Sequence, residues 1–122
     1  VIVGAFDNHG RLVGAAVLDG VWMGRQHDML DMYFLFTSRD VRSSGVGGEL
    51  FKRMAELASE RHARYLYICA ANSKNTVEFY MRHGARVATE AQLADEMLAA
   101  EKEFPEDLRA SLGADIHMVK LL

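Results

Sequence analysis

Between residues 29 and 58 the apolar period changes from that of a strand to that of a helix, and it does so across a cluster of glycines. Met29–Thr37 alternates, with Leu30, Met32, Phe34 and Phe36 on one face and Asp31, Tyr33, Leu35 and Thr37 on the other. The first face wants a core; the second carries a carboxylate and a phenol among apolar groups. After Gly45 the stripe becomes Val46, Leu50, Met54, Leu57 and Ala58, with Glu49, Lys52, Arg53 and Glu56 outside it. The joint is Arg42-Ser43-Ser44-Gly45-Val46-Gly47-Gly48. Consecutive glycines let a ligand approach the backbone without a Cβ in the way. The first amides of a helix have no intrahelical partner, and the positive end of its dipole lies there too. With Arg42 beside them, Arg42–Gly47 reads as a seat for a phosphate or pyrophosphate, and Gly48 as room for it.

Two common phosphate loops do not fit. No Gly-Lys-Ser/Thr follows, so a nucleotide-triphosphate loop lacks its lysine and its magnesium hydroxyl. The dinucleotide pattern needs a third glycine where Leu50 stands. A glycine turn that merely joins strand to helix is the plainer alternative.

The rest of the chain supplies a mixed α/β layer. Val1–Phe6 and Leu12–Leu18 are apolar runs around Asp7-Asn8-His9-Gly10, which predicts a β-hairpin. Residues 19–28 read as a loop. His62-Ala63-Arg64 ends the first helix, and Tyr65–Ala71 is a short strand of the buried type. Asn72 or Ser73 caps a second helix with Val77, Tyr80 and Met81 on one face, and Gly84 suits its left-handed close. A brief strand follows at Arg86-Val87-Ala88. Thr89-Glu90-Ala91-Gln92 is a capping-box pattern opening a helix toward Phe104, which Pro105 stops. Asp115–Leu122 reads as a final strand.

A chain of 122 residues is one domain's worth. With 14 basic and 17 acidic side chains the net charge is −3, and no basic block appears, which argues against nucleic acid as a partner. Cys69 is the only cysteine, so no internal disulfide framework exists, and a reducing, cytoplasmic setting is expected. No apolar run approaches the ~20 residues of a spanning helix, so no membrane is expected as partner. No two histidines have metal-ligand spacing, so no metal site is expected. The chain begins as a strand without methionine, which suggests an N-terminal portion upstream.

Arg42-x-x-Gly45-x-Gly47 after Leu35-Phe36-Thr37 resembles the signature of the GNAT superfamily of N-acetyltransferases. Asn75-Thr76-Val77-Glu78-Phe79-Tyr80-Met81-Arg82-His83-Gly84-Ala85, roughly thirty residues on, resembles that superfamily's N-x-x-x-x-F-Y-x-x-x-G-F helix and turn. The likeness covers residues 1–88 and 115–122. It implies a mixed, largely antiparallel sheet flanked by helices, in which one parallel strand pair splays apart. It also implies acetyl-CoA as co-substrate, with its pantetheine arm bonded to the backbone of Leu35, Phe36 and Thr37. The pyrophosphate then takes amides from Arg42, Ser43, Ser44, Gly45, Val46 and Gly47, with Gly48 giving room. Phe79 packs on the arm, and Asn72, Ser73 or Asn75 supplies a polar contact.

Tyr80 falls where the family places a phenol near the thioester sulfur, as a general acid for the departing thiolate. Asp31, eleven residues before Arg42, is the preferred base, with Asp28 and Tyr33 as rivals; a β-bulge in this strand would reverse which face each occupies. The reaction implied is acetyl transfer to a primary amine, small-molecule or peptide, by direct attack. A binding module that senses acyl-CoA without turnover is the alternative. Residues 89–113 stand as an inserted helical segment within the one domain 1–122. A truncated core that leaves apolar surface exposed predicts a homodimer.

Overall fold

The computed structural model describes residues 1–42, 44–89, 92 and 116–122. Eight elements appear among them: β1 (Ile2–Phe6), β2 (Leu12–Leu18), β3 (Met29–Thr37), α1 (Val46–Glu60), β4 (Tyr65–Ala70), α2 (Lys74–Arg82), β5 (Ala85–Val87) and β6 (Ile116–Leu121), with a single 3-10 turn at Arg39–Val41. The strands form one sheet in the order β1-β2-β3-β4-β6-β5. Only β3 and β4 run parallel among the described residues. A parallel pair needs a crossover, and α1 supplies it.

Local chemistry explains the turns. Gly10 takes φ +78° at the β1–β2 turn, and the Asp7 carboxylate accepts from the amides of His9 and Arg11. Ser73 caps α2, its hydroxyl accepting from the Thr76 amide, and Gly84 closes that helix at φ +96°. The Gln92 side chain accepts from the Thr89 amide at 2.9 Å, the bond a capping box predicts. The remainder of the expected Thr89–Phe104 helix, and Asp115 before β6, lie outside the described residues.

The main core lies between the sheet and the two helices. Leu50, Phe51, Met54, Ala55 and Ala58 of α1 and Tyr80 of α2 pack with Ala16, Leu18, Leu30, Met32, Leu66, Ile68 and Met118. A smaller cluster of Met29, Tyr67 and Val119 covers the opposite face of the sheet. Two expectations change here. Phe51, off the predicted stripe, is among the most buried side chains, and Met81, expected beside Tyr80, is exposed.

The alternation of β3 is also corrected. Val17 pairs with Phe34 but Leu18 pairs with Met32, so Tyr33 is an extra residue opposite the β2 ladder. A bulge reverses every side chain beyond it. Leu35 therefore joins Leu30 and Met32 against the core, while Phe34 and Phe36 are 46% and 44% exposed. Asp31 shares no face with Leu35 and Thr37.

Candidate active site

The glycine turn builds an open helix start. Gly45 stands at the N-cap of α1 with φ +90°, a conformation that strains any residue bearing a Cβ, and no side chain caps the helix. The amides of Val46, Gly47 and Gly48 thus face outward from the positive end of the dipole. A Cβ on Gly47 would lie 3.4 Å from the Phe79 ring and 3.5 Å from Thr37 Cγ2, so strand, turn and α2 converge at that point. Thr37, Arg42, Gly45, Gly47, Gly48, Asn75 and Phe79 line one cleft of about 1160 Å³ between α1 and α2. Ser44 hydrogen-bonds the Val41 carbonyl through its hydroxyl, and Ser43 lies outside the described residues.

Gly48 lines the cleft and also makes room for a neighbouring side chain. A Cβ there would stand 2.8 Å from His83 Cε1, so its absence admits the imidazole of α2 against α1. His83 also packs on Phe79, with centroids 4.7 Å apart, and lines the same cleft. A contact between two helices leaves no signal in either one.

Beside this turn the sheet opens. β3 and β4 pair at Met29/Tyr65, Leu30/Leu66 and Asp31/Tyr67 and no further, although β3 runs on to Thr37 and β4 to Ala70. β2 holds the other edge of β3 and β6 the other edge of β4, so beyond Asp31/Tyr67 the ladder between β3 and β4 stops and leaves a gap in the pairing.

Asp31 sits where the gap begins, half-buried, its carboxyl pushed up to about 6 by burial and then by the charge of Asp19. Tyr80 is 8% exposed, and burial pushes its phenol up to about 12. It packs on Phe51 and Phe79 with centroids 5.5 and 5.2 Å away. Asp31 and Tyr80 lie on opposite faces of the sheet. Of the rivals, Tyr33 is 74% exposed, and Asp28 stands at the far end, its carbonyl accepting from the amides of Arg64 and Tyr65. Sequence reading also missed the hydrogen bond between the Tyr67 hydroxyl and His117 Nδ1 on Asp31's face. Among the described residues no group of His, Cys, Asp and Glu is arranged to hold a metal, and no helix is long and apolar enough to cross a membrane.

A family model described as the acetyltransferase (GNAT) family matches residues 1–85. Solved structures of similar shape include an acetyltransferase from Bacillus cereus, at 19% identity and TM-score 0.68, covering 100% of this chain and 72% of that one. The N-acetylglutamate synthase from Neisseria gonorrhoeae, complexed with coenzyme A and N-acetyl-glutamate, matches at 21% identity and TM-score 0.69, over 99% of this chain and 25% of that one. The PaiA N-acetyltransferase from Thermoplasma acidophilum, in complex with coenzyme A, matches at 14% and 0.69, over 100% and 60%. At such identities the likeness shows the fold. No curated protein sequence matches the chain.

Proposed function

The chain belongs to the acetyltransferase (GNAT) family, and from that premise we propose that it moves an acetyl group from acetyl-CoA to a primary amine by direct attack. The observation that carries this reading is the coincidence of the open helix start at Gly45 with the gap that begins at Asp31/Tyr67. The turn suits a diphosphate, and the gap suits a slender arm ending in a thioester. Two of the solved structures named above hold coenzyme A.

In this reading the backbone of Leu35, Phe36 and Thr37, unpaired toward β4, bonds the amides of the pantetheine arm. The amides of Ser43, Gly45, Val46 and Gly47 take the diphosphate, with Gly48 giving room. Those of Arg42 and Ser44 already donate to the Arg39 and Val41 carbonyls, so Arg42 contributes its charge instead, while Asn75 adds a polar contact and Phe79 packs on the arm. The amine nitrogen attacks the acetyl carbon and the carbon–sulfur bond breaks. A primary amine arrives as an ammonium and must lose a proton first, which Asp31 accepts because burial has raised its basicity.

The departing thiolate must gain a proton. A phenol near 12 facing a thiol near ~8.5 gives up its proton uphill, so Tyr80 donates a hydrogen bond first and transfers only as negative charge forms on sulfur. The acceptor is a small-molecule or peptide amine, and the whole is a single acetyl-CoA-binding domain of a cytoplasmic protein. The exposed Tyr33, Phe34 and Phe36 support self-association as a dimer, which light scattering at high concentration checks.

Thiol release from acetyl-CoA across a panel of amines tests the proposal. The expected result is amine-dependent release that Tyr80→Phe suppresses. Tight acetyl-CoA binding with no release for any amine would leave the chain an acyl-CoA sensor.

A further inference from the structure

Resting on that reading of the site, we propose that Arg11, on the β1–β2 hairpin, is a positioning residue for the diphosphate turn, clamping it through Asp40. The argument starts from the ladder. Ser38 donates its amide to the Val13 carbonyl at 2.8 Å, which carries the β2–β3 pairing past the end of β3 and brings the 3-10 turn alongside Arg11. There the Arg11 guanidinium donates to one oxygen of Asp40, and the Ser38 hydroxyl donates to the other. Arg11 is itself held from behind. Its Nε lies 3.3 Å from Asp7 Oδ2 and its amide 3.0 Å from Asp7 Oδ1.

Among the described residues the internal backbone bonds of the clamped turn are Val41 to Ser38 at 3.2 Å, Arg42 to Arg39 at 3.4 Å and Ser44 to Val41 at 3.1 Å, each from amide to carbonyl, and the Ser44 hydroxyl also donates to the Val41 carbonyl. Its residues are largely exposed, and none of Arg39–Val41 is buried. Arg42 and Gly45, which line the cleft, follow within five residues of Asp40. A carboxylate two residues before Arg42 disfavours an anion bound at the turn, and the Arg11 charge offsets that repulsion while fixing the turn. Contact with Ser38 and then Arg11 holds Asp40 down at about 2, so it stays ionised at any working pH.

The two partners therefore have unequal effects. Arg11→Gln loosens the turn and uncovers a negative charge, and is expected to weaken acetyl-CoA binding about 5–10-fold. Asp40→Asn loosens the turn but removes the charge, so about 2–3-fold is expected, and the double variant is no worse than Arg11→Gln alone. Calorimetric titration of acetyl-CoA reads the affinities, and KM for acetyl-CoA is expected to rise with kcat unchanged. Amide hydrogen exchange reads the clamp without a ligand: Val41, Arg42 and Ser44 exchange faster in Arg11→Gln, while the β1–β2 ladder does not. Affinity within twofold of wild type in Arg11→Gln overturns the inference, as does faster exchange spread equally over the hairpin. Should the wild type bind no acetyl-CoA, the reading of the site falls. Exchange then decides the clamp alone, and unchanged rates at these amides overturn it.

Discussion

Asp31 and Tyr80 have both been moved off their ordinary protonation behaviour by burial: Asp31 becomes more basic, and Tyr80 is held protonated as a hydrogen-bond donor while becoming a weaker acid. For Tyr80 the expected outcome is a fall in kcat of about 100-fold on Tyr80→Phe, with KM for acetyl-CoA little changed, because the phenol acts on a charge that exists only late in the reaction. For Asp31 the prediction concerns pH. Transfer falls as pH drops through about 6, where the carboxylate takes its proton, and Asp31→Asn removes most of the activity together with that acid limb. Stability moves the opposite way. The native carboxyl binds a proton more readily than the ordinary value of 3.8, so it favours the folded state below that value and loses this contribution as pH rises through about 6. Asp31→Asn is therefore expected to stabilise the protein at pH 7, by about 1–2 kcal/mol after allowance for solvent screening, which urea denaturation at pH 4 and 7 would measure. An unchanged acid limb in Asp31→Asn would hand the base role to another group.

At the scale of elements, the two glycines of the turn fail differently when substituted. A Cβ on Gly45 meets nothing within 4 Å, so Gly45→Ala pays only for the left-handed backbone, about 1–2 kcal/mol, and reshapes the turn that faces the cleft. Gly48 is helical, and Gly48→Ala instead drives a methyl into the His83 ring. Overpacking of about 1–3 kcal/mol is expected there, largely relieved by adding His83→Ala, while Gly45→Ala is not relieved. Thermal unfolding of the four variants separates the two causes. These elements show what a sequence discloses. Strand, turn and helix were legible around Gly45 because period and glycine chemistry are local, and so were the Ser73 cap and the Gly84 close. The bulge at Tyr33 was not, since it depends on how β2 meets β3, and it moved Asp31 to the face opposite Leu35 and Thr37. Phe51, the His83 contact and the Tyr67–His117 bond likewise depend on neighbours remote in sequence. The residues of the cleft were legible through motif resemblance; which space each glycine leaves, and for whom, was not.

In the whole molecule a single topological choice places the site. Because β3 and β4 are parallel, the chain must return across the sheet, and α1 starts at the end of the sheet where β3 finishes. The β3–β4 ladder also stops short of that end. Helix start and gap therefore arise together at the carboxyl ends of two adjacent strands, the place where open α/β sheets bind their ligands. An antiparallel β3–β4 pair would have put the next helix start at the other end and left the gap without an anion seat. A ligand that uses both features at once should stabilise the fold more than one that uses the anion seat alone. At a concentration of 100 times its Kd, acetyl-CoA is expected to add about 2.7 kcal/mol, which for a domain of this size raises the unfolding midpoint by about 10 °C. Inorganic pyrophosphate, ATP and NAD at the same concentration reach only the turn and are expected to raise it far less. Desulfo-CoA, which keeps the pantetheine arm, should approach acetyl-CoA. Equal shifts from ATP and acetyl-CoA would mean that the gap between β3 and β4 holds no arm, and the site would be a phosphate seat with no claim on the thioester.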